Sequence, residues 1–379
     1  MIIKKQKKTI VYVCNNLGYF FSHRENIVQK LKSLNYKIFL VHGNAGSKTI
    51  DHQYINKIKK YKIKTYKIPM HSDLKNIFYD VVSFFLIFKI IKKIKPDLIH
   101  TISPKANLYG GLVSLFFSKS KLIMSVSGLG TIFNGNYKFL KLIFLFLHQI
   151  IFLKKNFNVI FHNQNDLEFY KKKFKIDKNK LYKTFGSGVD LKKFNVVKKI
   201  RNKNILFCGR VLRSKGIIDF IKAAEILEKK LKSWQFLIAG TIDYKNPDSV
   251  DRKFLRRKTQ LKNVKFIGYH KNVKKLYENC EIYCLPSYSE GLSKTLLEAA
   301  SMSLPVIVSN ILGNTQVVMK NKTGLIFKTS NVNDLAKKIY YLASNKKIRR
   351  EYGKNNRKLA LKHFGIKKVN NLHLHIYEK

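Results

Sequence analysis

The sequence predicts an α/β fold: two Rossmann-like domains facing across a cleft. Three observations carry that expectation. Short runs rich in Val, Ile and Phe alternate with longer helical patterns throughout, and helices between hydrophobic strands imply parallel sheets covered on both faces. The alternation breaks in a basic, irregular stretch near Asp190–Asn204 and then restarts. Finally, 379 residues that are 45% hydrophobic and 13% aromatic supply enough apolar material for two cores.

In the first half, strands are expected at Thr9–Cys14, Lys37–His42, Leu98–Thr101, Leu122–Val126 and Asn158–His162. In the second half they are expected at Asn204–Cys208, Gln235–Ala239, Val264–Gly268, Glu281–Leu285, Pro305–Ser309 and Gly324–Phe327. The division falls at residues 1–195 and 196–363. In open sheets of this kind ligands sit beyond the carboxyl ends of the strands, so the strand-to-helix turns are where chemistry is sought.

The chain carries 75 Lys+Arg against 22 Asp+Glu, a net charge of +53. The apolar content excludes a disordered polycation. The excess is even, with 34 basic and 9 acidic residues in 1–190 against 41 and 13 in 191–379. That spread, with no basic-aromatic stripe and no nucleic-acid motif, argues against a specific nucleic-acid reader. Lysine enrichment alongside Ile, Asn, Phe and Tyr also has a simple source in A/T-rich codons. Four cysteines are no disulfide framework, and Cys280 and Cys284 read as small core residues.

The apolar run after the basic residues 1–8 ends at Asn15-Asn16, too short for a signal-peptide core. Two other stretches, Val81–Ile91 and Phe139–Leu153, are strongly apolar yet shorter than the ~20 residues that span a bilayer. For the second, two readings stand: a buried helix of an α/β domain, or a helix lying in the cytoplasmic leaflet with its lysines on anionic headgroups.

Two turns in the second half carry chemistry. In Phe207–Gly216 a strand ends at Cys208, a glycine turn follows, and a helix is expected from about Ile217. Arg210 and Lys215 sit where cationic side chains and free N–H groups can converge on a diphosphate. In isolation they also read as solvated charge. In Leu285–Ala300, Glu290 stands beside Gly291 just after a strand, with Glu298 two helical turns on. A carboxylate can accept two vicinal hydroxyls of a sugar or ribose, while the N–H groups of Leu292 and Ser293 point toward phosphate. The alternative is a helix-terminal acid and a surface glutamate. No Asp-x-Asp or His/Cys cluster is placed to hold a metal.

Gly209-Arg210, Lys215-Gly216, Glu290-Gly291-Leu292, Glu298-Ala299 and Pro305-Val306-Ile307 together resemble the retaining glycosyltransferases of the GT-B fold, specifically family 4 with its Glu-x7-Glu motif. The resemblance extends to Asn15–Arg24, Pro96–Thr101, Val126–Gly130 and Gly186–Asp190, and so covers essentially the whole chain. The combination is similar to the bacterial enzymes that build lipid-linked O-antigen, capsule or glycoprotein glycans.

The resemblance implies an acceptor-binding domain at 1–195, a donor-binding domain at 196–363, and a C-terminal helix, 364–379, packed back on the first. Arg210 and Lys215 would hold the donor diphosphate and stabilise the leaving nucleoside diphosphate. Glu298 would take ribose hydroxyls and Glu290 those of the transferred sugar. Gly209, Gly240, Tyr269, Gly291, Leu292 and Ser293 would line the donor, and Gly18 would let the first domain approach its phosphates. Ser22, His23, Arg24, Ser127 and Gly128 are the expected acceptor-side residues, with His23 handling a proton or orienting the acceptor. Ser127 stands where many relatives have a histidine, and Gln316 where a glutamate is common; Gln316 is expected on a helix surface, and His100 is expected to be structural.

The implied activity is metal-independent, retaining transfer of an N-acetylhexosamine or related sugar from a UDP-sugar, without cofactor, to an undecaprenyl-diphosphate-linked saccharide. The implied location is cytoplasmic, on the inner membrane face against an anionic surface. A nucleotide-sugar 2-epimerase of the same fold is the alternative; it would act on donor without acceptor.

Overall fold

The computed structural model describes residues 8–43, 48–71, 77–128, 138–196, 202–242, 246, 248–258 and 261–379. The basic residues 1–7, Leu129-Gly130 of the Val126–Gly130 motif, and 197–201 of the irregular stretch lie outside the described residues. The chain divides into two compact units, 1–187 with 370–379, and 188–369.

The first unit opens with β1 (Thr9–Cys14), α1 (Leu17–Ser33), β2 (Lys37–His42), α2 (Lys48–Lys60), β3 (Lys64–Lys67), α3 (Ile77–Ile94) and β4 (Leu98–Ile102). It continues with α4 (Pro104–Ser114), β5 (Lys121–Val126), α5 (Lys138–Ile151), β6 (Phe157–Phe161), α6 (Gln164–Phe174) and β7 (Leu181–Lys183). All pairings are parallel, in the order β3-β2-β1-β4-β5-β6-β7. Because successive strand residues point to opposite faces, β1 feeds two cores. Val11 and Val13 pack with Ile87, Ile91, Ala106, Val113, Ile151 and Phe174 under α3, α4, α5 and α6. Ile10, Tyr12 and Cys14 pack with Leu17, Phe20 and Val28 of α1 and with Ile376 and Tyr377.

The second unit contains β8 (Asn204–Cys208), α7 (Ile217–Leu227), β9 (Gln235–Ala239), α8 (Arg252–Lys258), β10 (Val264–Gly268), α9 (Val273–Glu278) and β11 (Ile282–Leu285). It ends with α10 (Lys294–Ser301), β12 (Val306–Ser309), α11 (Leu312–Thr315), β13 (Gly324–Phe327), α12 (Val332–Ser344) and α13 (Lys346–Leu359). Its sheet is parallel, in the order β10-β9-β8-β11-β12-β13. A last helix, α14 (Ile366–Glu378), carries the chain back into the first unit.

The expected strands all form, and two more appear. β3 (Lys-Thr-Tyr-Lys) and β7 (Leu-Tyr-Lys) are the two edges of the first sheet, where limited burial lets a strand be short and polar. Residues 188–195, expected in the first domain, belong to the second unit: Val189 bridges Gly365, and the Phe194 carbonyl accepts from Ser301 Oγ (2.7 Å) and Arg357 (2.9 Å). Val369 still belongs to that unit, and Asn370–Lys379 to the first. The buried-helix reading fails for the outer face of α5. Phe144, His148 and Ile151 are buried, but Phe139, Leu142 and Phe146 are 74%, 65% and 66% exposed. Among the described residues no helix is long and apolar enough to cross a membrane.

Strand order reverses direction between β1 and β4 in one sheet and between β8 and β11 in the other. The crevice at such a switch point is where open α/β sheets bind ligands. The turn after β1 holds Asn15–Gly18; those after β8 and β11 hold Gly209–Lys215 and Pro286–Ser293.

Candidate active site

The turn after β8 is held in shape from two sides. It closes in one 3-10 turn, Arg213–Lys215, and Gly216 adopts φ +71° before α7 begins at Ile217. A Cβ on Gly216 would lie 2.0 Å from the Pro286 carbonyl oxygen, so the two switch-point turns touch through a residue that must be glycine. The Asp248 carboxylate accepts from the Ser214 N–H (3.1 Å) and from its hydroxyl, and the Asp248 carbonyl accepts from Arg213 N (2.8 Å). On the other side, Tyr288 N donates to the Ser214 carbonyl (2.8 Å). Asp248 had no motif to mark it in the sequence; it acts as an anchor from a distant loop.

Gly209, Gly240 and the Gly268-Tyr269 pair stand at the carboxyl ends of the adjacent strands β8, β9 and β10. Gly240 N donates to the Gly268 carbonyl (2.8 Å), and a Cβ on Gly240 would strike the Gly209 carbonyl oxygen at 1.7 Å. Tyr269 is 70% exposed and offers an aromatic face at this edge.

Two of the expected site residues are partners of each other. Lys215 Nζ lies 2.6 Å from Glu290 Oε1, both side chains mostly buried, and Ser287 Oγ donates to the same oxygen (3.0 Å). Arg210, by contrast, is exposed. The Glu290–Gly291 backbone is covered by α11: a Cβ on Gly313 would lie 2.1 Å from the Glu290 carbonyl oxygen, and Gln316 Nε2 donates to the Gly291 carbonyl (3.2 Å). Gln316, expected on a helix surface, caps the one-turn α11 and supports the turn after β11 instead.

Glu298 is 7% exposed on α10. Burial raises its carboxyl above the usual range, while Lys294, the Tyr277 hydroxyl and Lys193 pull it back down. That hydroxyl donates to Glu298 Oε2 at 3.1 Å. Behind it, the Tyr283 and Thr295 hydroxyls are 2.6 Å apart, Ser293 Oγ is 3.0 Å from Thr295, and Tyr283 donates to the Cys208 carbonyl (3.3 Å). Tyr277, Tyr283 and Thr295 escaped sequence reasoning because they look like ordinary strand and helix residues. With Gly291, Leu292 and Ser293 leading into α10, the edge presents N–H groups, two cations and two carboxylates, a set suited to a sugar nucleotide. Among the described residues no group of three or more His, Cys, Asp or Glu could hold a metal ion, and all four cysteines are buried and outside any disulfide.

In the first unit, Asn16 caps α1 through the Tyr19 N–H (2.8 Å), which seats Gly18 in the first turn. Ser22 is exposed and His23 half-buried; their Oγ and Nδ1 are 2.6 Å apart, and Tyr19 stacks on the His23 ring at 4.4 Å. Ser127 bonds the Tyr19 hydroxyl, and Gly128 follows at φ +153°. Arg24 corrects its expected role. It is 1% exposed and turns inward, donating to Ser125 Oγ (2.9 Å) and the His23 carbonyl (3.3 Å), so it can position His23 but not touch a soluble acceptor. His100 joins this network, with Nε2 2.8 Å from Ser125 Oγ and Nδ1 2.7 Å from the Tyr377 hydroxyl. Burial and the Arg24 charge hold its pKa well below the usual range.

Residues 9–163 match the family model for glycosyl transferase 4-like domains, and residues 189–359 the model for group 1 glycosyl transferases. Among curated proteins the chain is similar to the N,N'-diacetylbacillosaminyl-diphospho-undecaprenol alpha-1,3-N-acetylgalactosaminyltransferase of Campylobacter jejuni, 26% identical over 90% of this chain and 91% of that protein. It is similar also to the UDP-Gal:alpha-D-GlcNAc-diphosphoundecaprenol alpha-1,3-galactosyltransferase of Escherichia coli, 25% identical over 81% of each chain. Among solved structures, the Anabaena protein HepE in complex with UDP superposes with a TM-score of 0.77 at 15% identity, covering 97% of this chain and 98% of that one. Such a match supports the two-sheet architecture of the GT-B fold.

Proposed function

The chain belongs to the glycosyltransferases that join a 4-like domain to a group 1 domain, and on that premise we propose that it transfers a sugar from a UDP-sugar, with retention, to an undecaprenyl-diphosphate-linked saccharide. The observation that carries this reading is the Lys215–Glu290 pair at the β8/β11 switch point, with the buried Glu298 on the helix that follows. Support for the substrate classes comes from the activities of the relatives, which include transfer of N-acetylgalactosamine and galactose to diphosphoundecaprenol-linked sugars. An N-acetylhexosamine is the sugar we favour.

In this reading Glu298 accepts from the ribose hydroxyls. A buried carboxylate is poorly hydrated, so hydroxyl donors recover interaction that water does not supply. The diphosphate draws Lys215 off Glu290, which then accepts from hydroxyls of the transferred sugar. As the bond from the sugar's anomeric carbon to the β-phosphate oxygen breaks, Lys215 and Arg210 stabilise the growing charge more than they did the intact donor. The acceptor hydroxyl attacks from the same face, and its proton passes to the departing phosphate. Two cations at that position supply the role a divalent metal plays elsewhere, so we propose that no metal or cofactor is needed. His23 stands ready to orient the acceptor. The enzyme works peripherally at an anionic membrane face.

The test is a panel of UDP-sugars measured first for protection against thermal unfolding and then for transfer to a synthetic polyprenyl-diphosphate glycan. One donor should both protect and be consumed, only with acceptor present, giving a product of unchanged anomeric configuration. Inversion, a requirement for added metal, or epimerisation of donor alone would each overturn the corresponding part.

A further inference from the structure

The first unit carries an apolar surface that is left exposed among the described residues. On α3 (Ile77–Ile94), Ile77, Phe78 and Phe85 are 76%, 74% and 57% exposed. On α5 (Lys138–Ile151), Phe139, Leu142 and Phe146 form a matching set at helical spacing. Both helices cover the same face of the sheet, since Ile87 and Ile91 of α3 and Ile151 of α5 share one core.

The position of these side chains along their helices is informative. In a parallel sheet each connecting helix runs back against the strands, so its N-terminal half lies at the carboxyl edge. Ile77, Phe78 and Phe85 of α3 and Phe139 and Leu142 of α5 are in those N-terminal halves, and Phe146 follows just past the middle of α5. They therefore border the edge that carries Gly18, Ser22-His23 and Ser127-Gly128. Phe116 and Leu153, also exposed, lie past the C-terminal ends of α4 and α5, toward the opposite edge.

Charge selects the occupant. α5 holds Lys138 and Lys141 with no acid, and the one acid of α3, Asp80, is taken by Lys105 through both carboxylate oxygens at 2.8 Å. Lys89, Lys92 and Lys93, exposed on the C-terminal half of α3, extend this cationic rim away from the apolar residues toward the opposite edge. A second copy of the chain would bring the same positive rim against itself, which disfavours self-association. An anionic bilayer satisfies both parts, taking the aromatic and aliphatic side chains into its acyl boundary and the ammonium groups among its headgroups.

We propose that the N-terminal halves of α3 and α5 together form a surface that inserts into anionic lipid bilayers and sets the carboxyl edge of the first sheet at the lipid–water boundary. The inference deepens the proposed peripheral location, and it rests on exposure and charge rather than on the sugar-transfer reading. A lipid-borne acceptor would then reach His23 without leaving its membrane.

The experiment uses the full chain and vesicles of phosphatidylglycerol with phosphatidylethanolamine, against vesicles of phosphatidylcholine. Wild type should co-sediment with the anionic vesicles, and Phe139→Glu combined with Phe146→Glu should weaken that binding by about tenfold or more. Trp234, the single tryptophan, is 4% exposed and supplies a buried background. In a Phe146→Trp variant the introduced indole should shift to the blue on anionic vesicles and be quenched by brominated acyl chains. Equal binding by wild type and the double glutamate variant would overturn the proposal, showing charge without insertion. So would failure of wild type to bind, or a concentration-dependent dimer that the same two substitutions dissolve. Loss of transfer to a water-soluble acceptor analogue, with vesicle binding intact, would instead count against the proposed function alone.

Discussion

Replacing Glu298 by glutamine separates nucleotide recognition from folding, because the two should move in opposite directions. The side chain is 7% exposed and keeps its shape in the variant. Hydrogen bonds to charged groups contribute about 1.5–3 kcal/mol, and taking ~2 kcal/mol for the ribose contact predicts about thirtyfold weaker UDP binding. At a UDP concentration of about 100 times the wild-type Kd, mass action stabilises wild type by about 2.7 kcal/mol; the variant should gain only about 0.9 kcal/mol. Without nucleotide the variant should be no less stable at neutral pH, since it no longer buries a charge. The sign with pH follows from the raised carboxyl. The folded state binds the proton more tightly than the unfolded state, so this group's penalty grows as pH rises above its ordinary 4.5 and levels off above the folded value. The stability advantage of Glu298→Gln should therefore vanish below about pH 4.5 and be greatest near neutrality. Urea denaturation across pH, with and without UDP, measures both effects. A variant that keeps its UDP-induced stabilisation to within a few tenths of a kcal/mol would refute the ribose assignment.

Two further perturbations test how the site is held. Lys215→Ala leaves a largely buried Glu290 carboxylate with, among the described residues, the Ser287 hydroxyl alone, and should lower the unfolding free energy by about 1–3 kcal/mol while abolishing transfer. Adding Glu290→Gln should recover most of the stability and none of the activity, as read by urea denaturation and turnover; a double variant no more stable than the single would show that the pair does not matter to folding. Gly216→Ala must adopt φ +71° and place its Cβ 2.0 Å from the Pro286 oxygen, so its cost should exceed about 2 kcal/mol. Gly268→Ala, at φ +66° with nothing within 4 Å, should cost only about 1 kcal/mol; equal losses at the two sites would remove the argument for contact between the turns.

The strands legible in the sequence are those buried on both faces, where β-branched runs such as Thr9–Cys14 and Asn204–Cys208 stand out from their surroundings. β3 and β7 were not, because an edge strand keeps polar residues and its identity comes from the neighbour it pairs with. The paired acids Glu290 and Glu298 were visible because acids are rare in this chain. What surrounds them was not: Asp248 and Tyr277 join the site through contacts that cross longer stretches of sequence. Arg24 shows the converse. It lies in a motif that suggested an exposed acceptor contact, yet its register on α1 turns it toward Ser125 and the core. The apolar run of α5 was equally visible from its residues, but which way it faced depended on neighbours the run does not encode.

The return of α14 to the first unit gives synthesis of this chain an order. The core beneath α1 includes Ile376 and Tyr377, and Tyr12, His100 and Tyr377 share one hydrogen-bonded chain. Ile376 and Tyr377 leave the ribosome after the whole of 188–369. The second unit can therefore complete its sheet while the first, though made earlier, still lacks one side of its interior. Contacts of that sequence separation are slow to form. The N-terminal sheet must wait, partly open, for the last residues of α14 to close it.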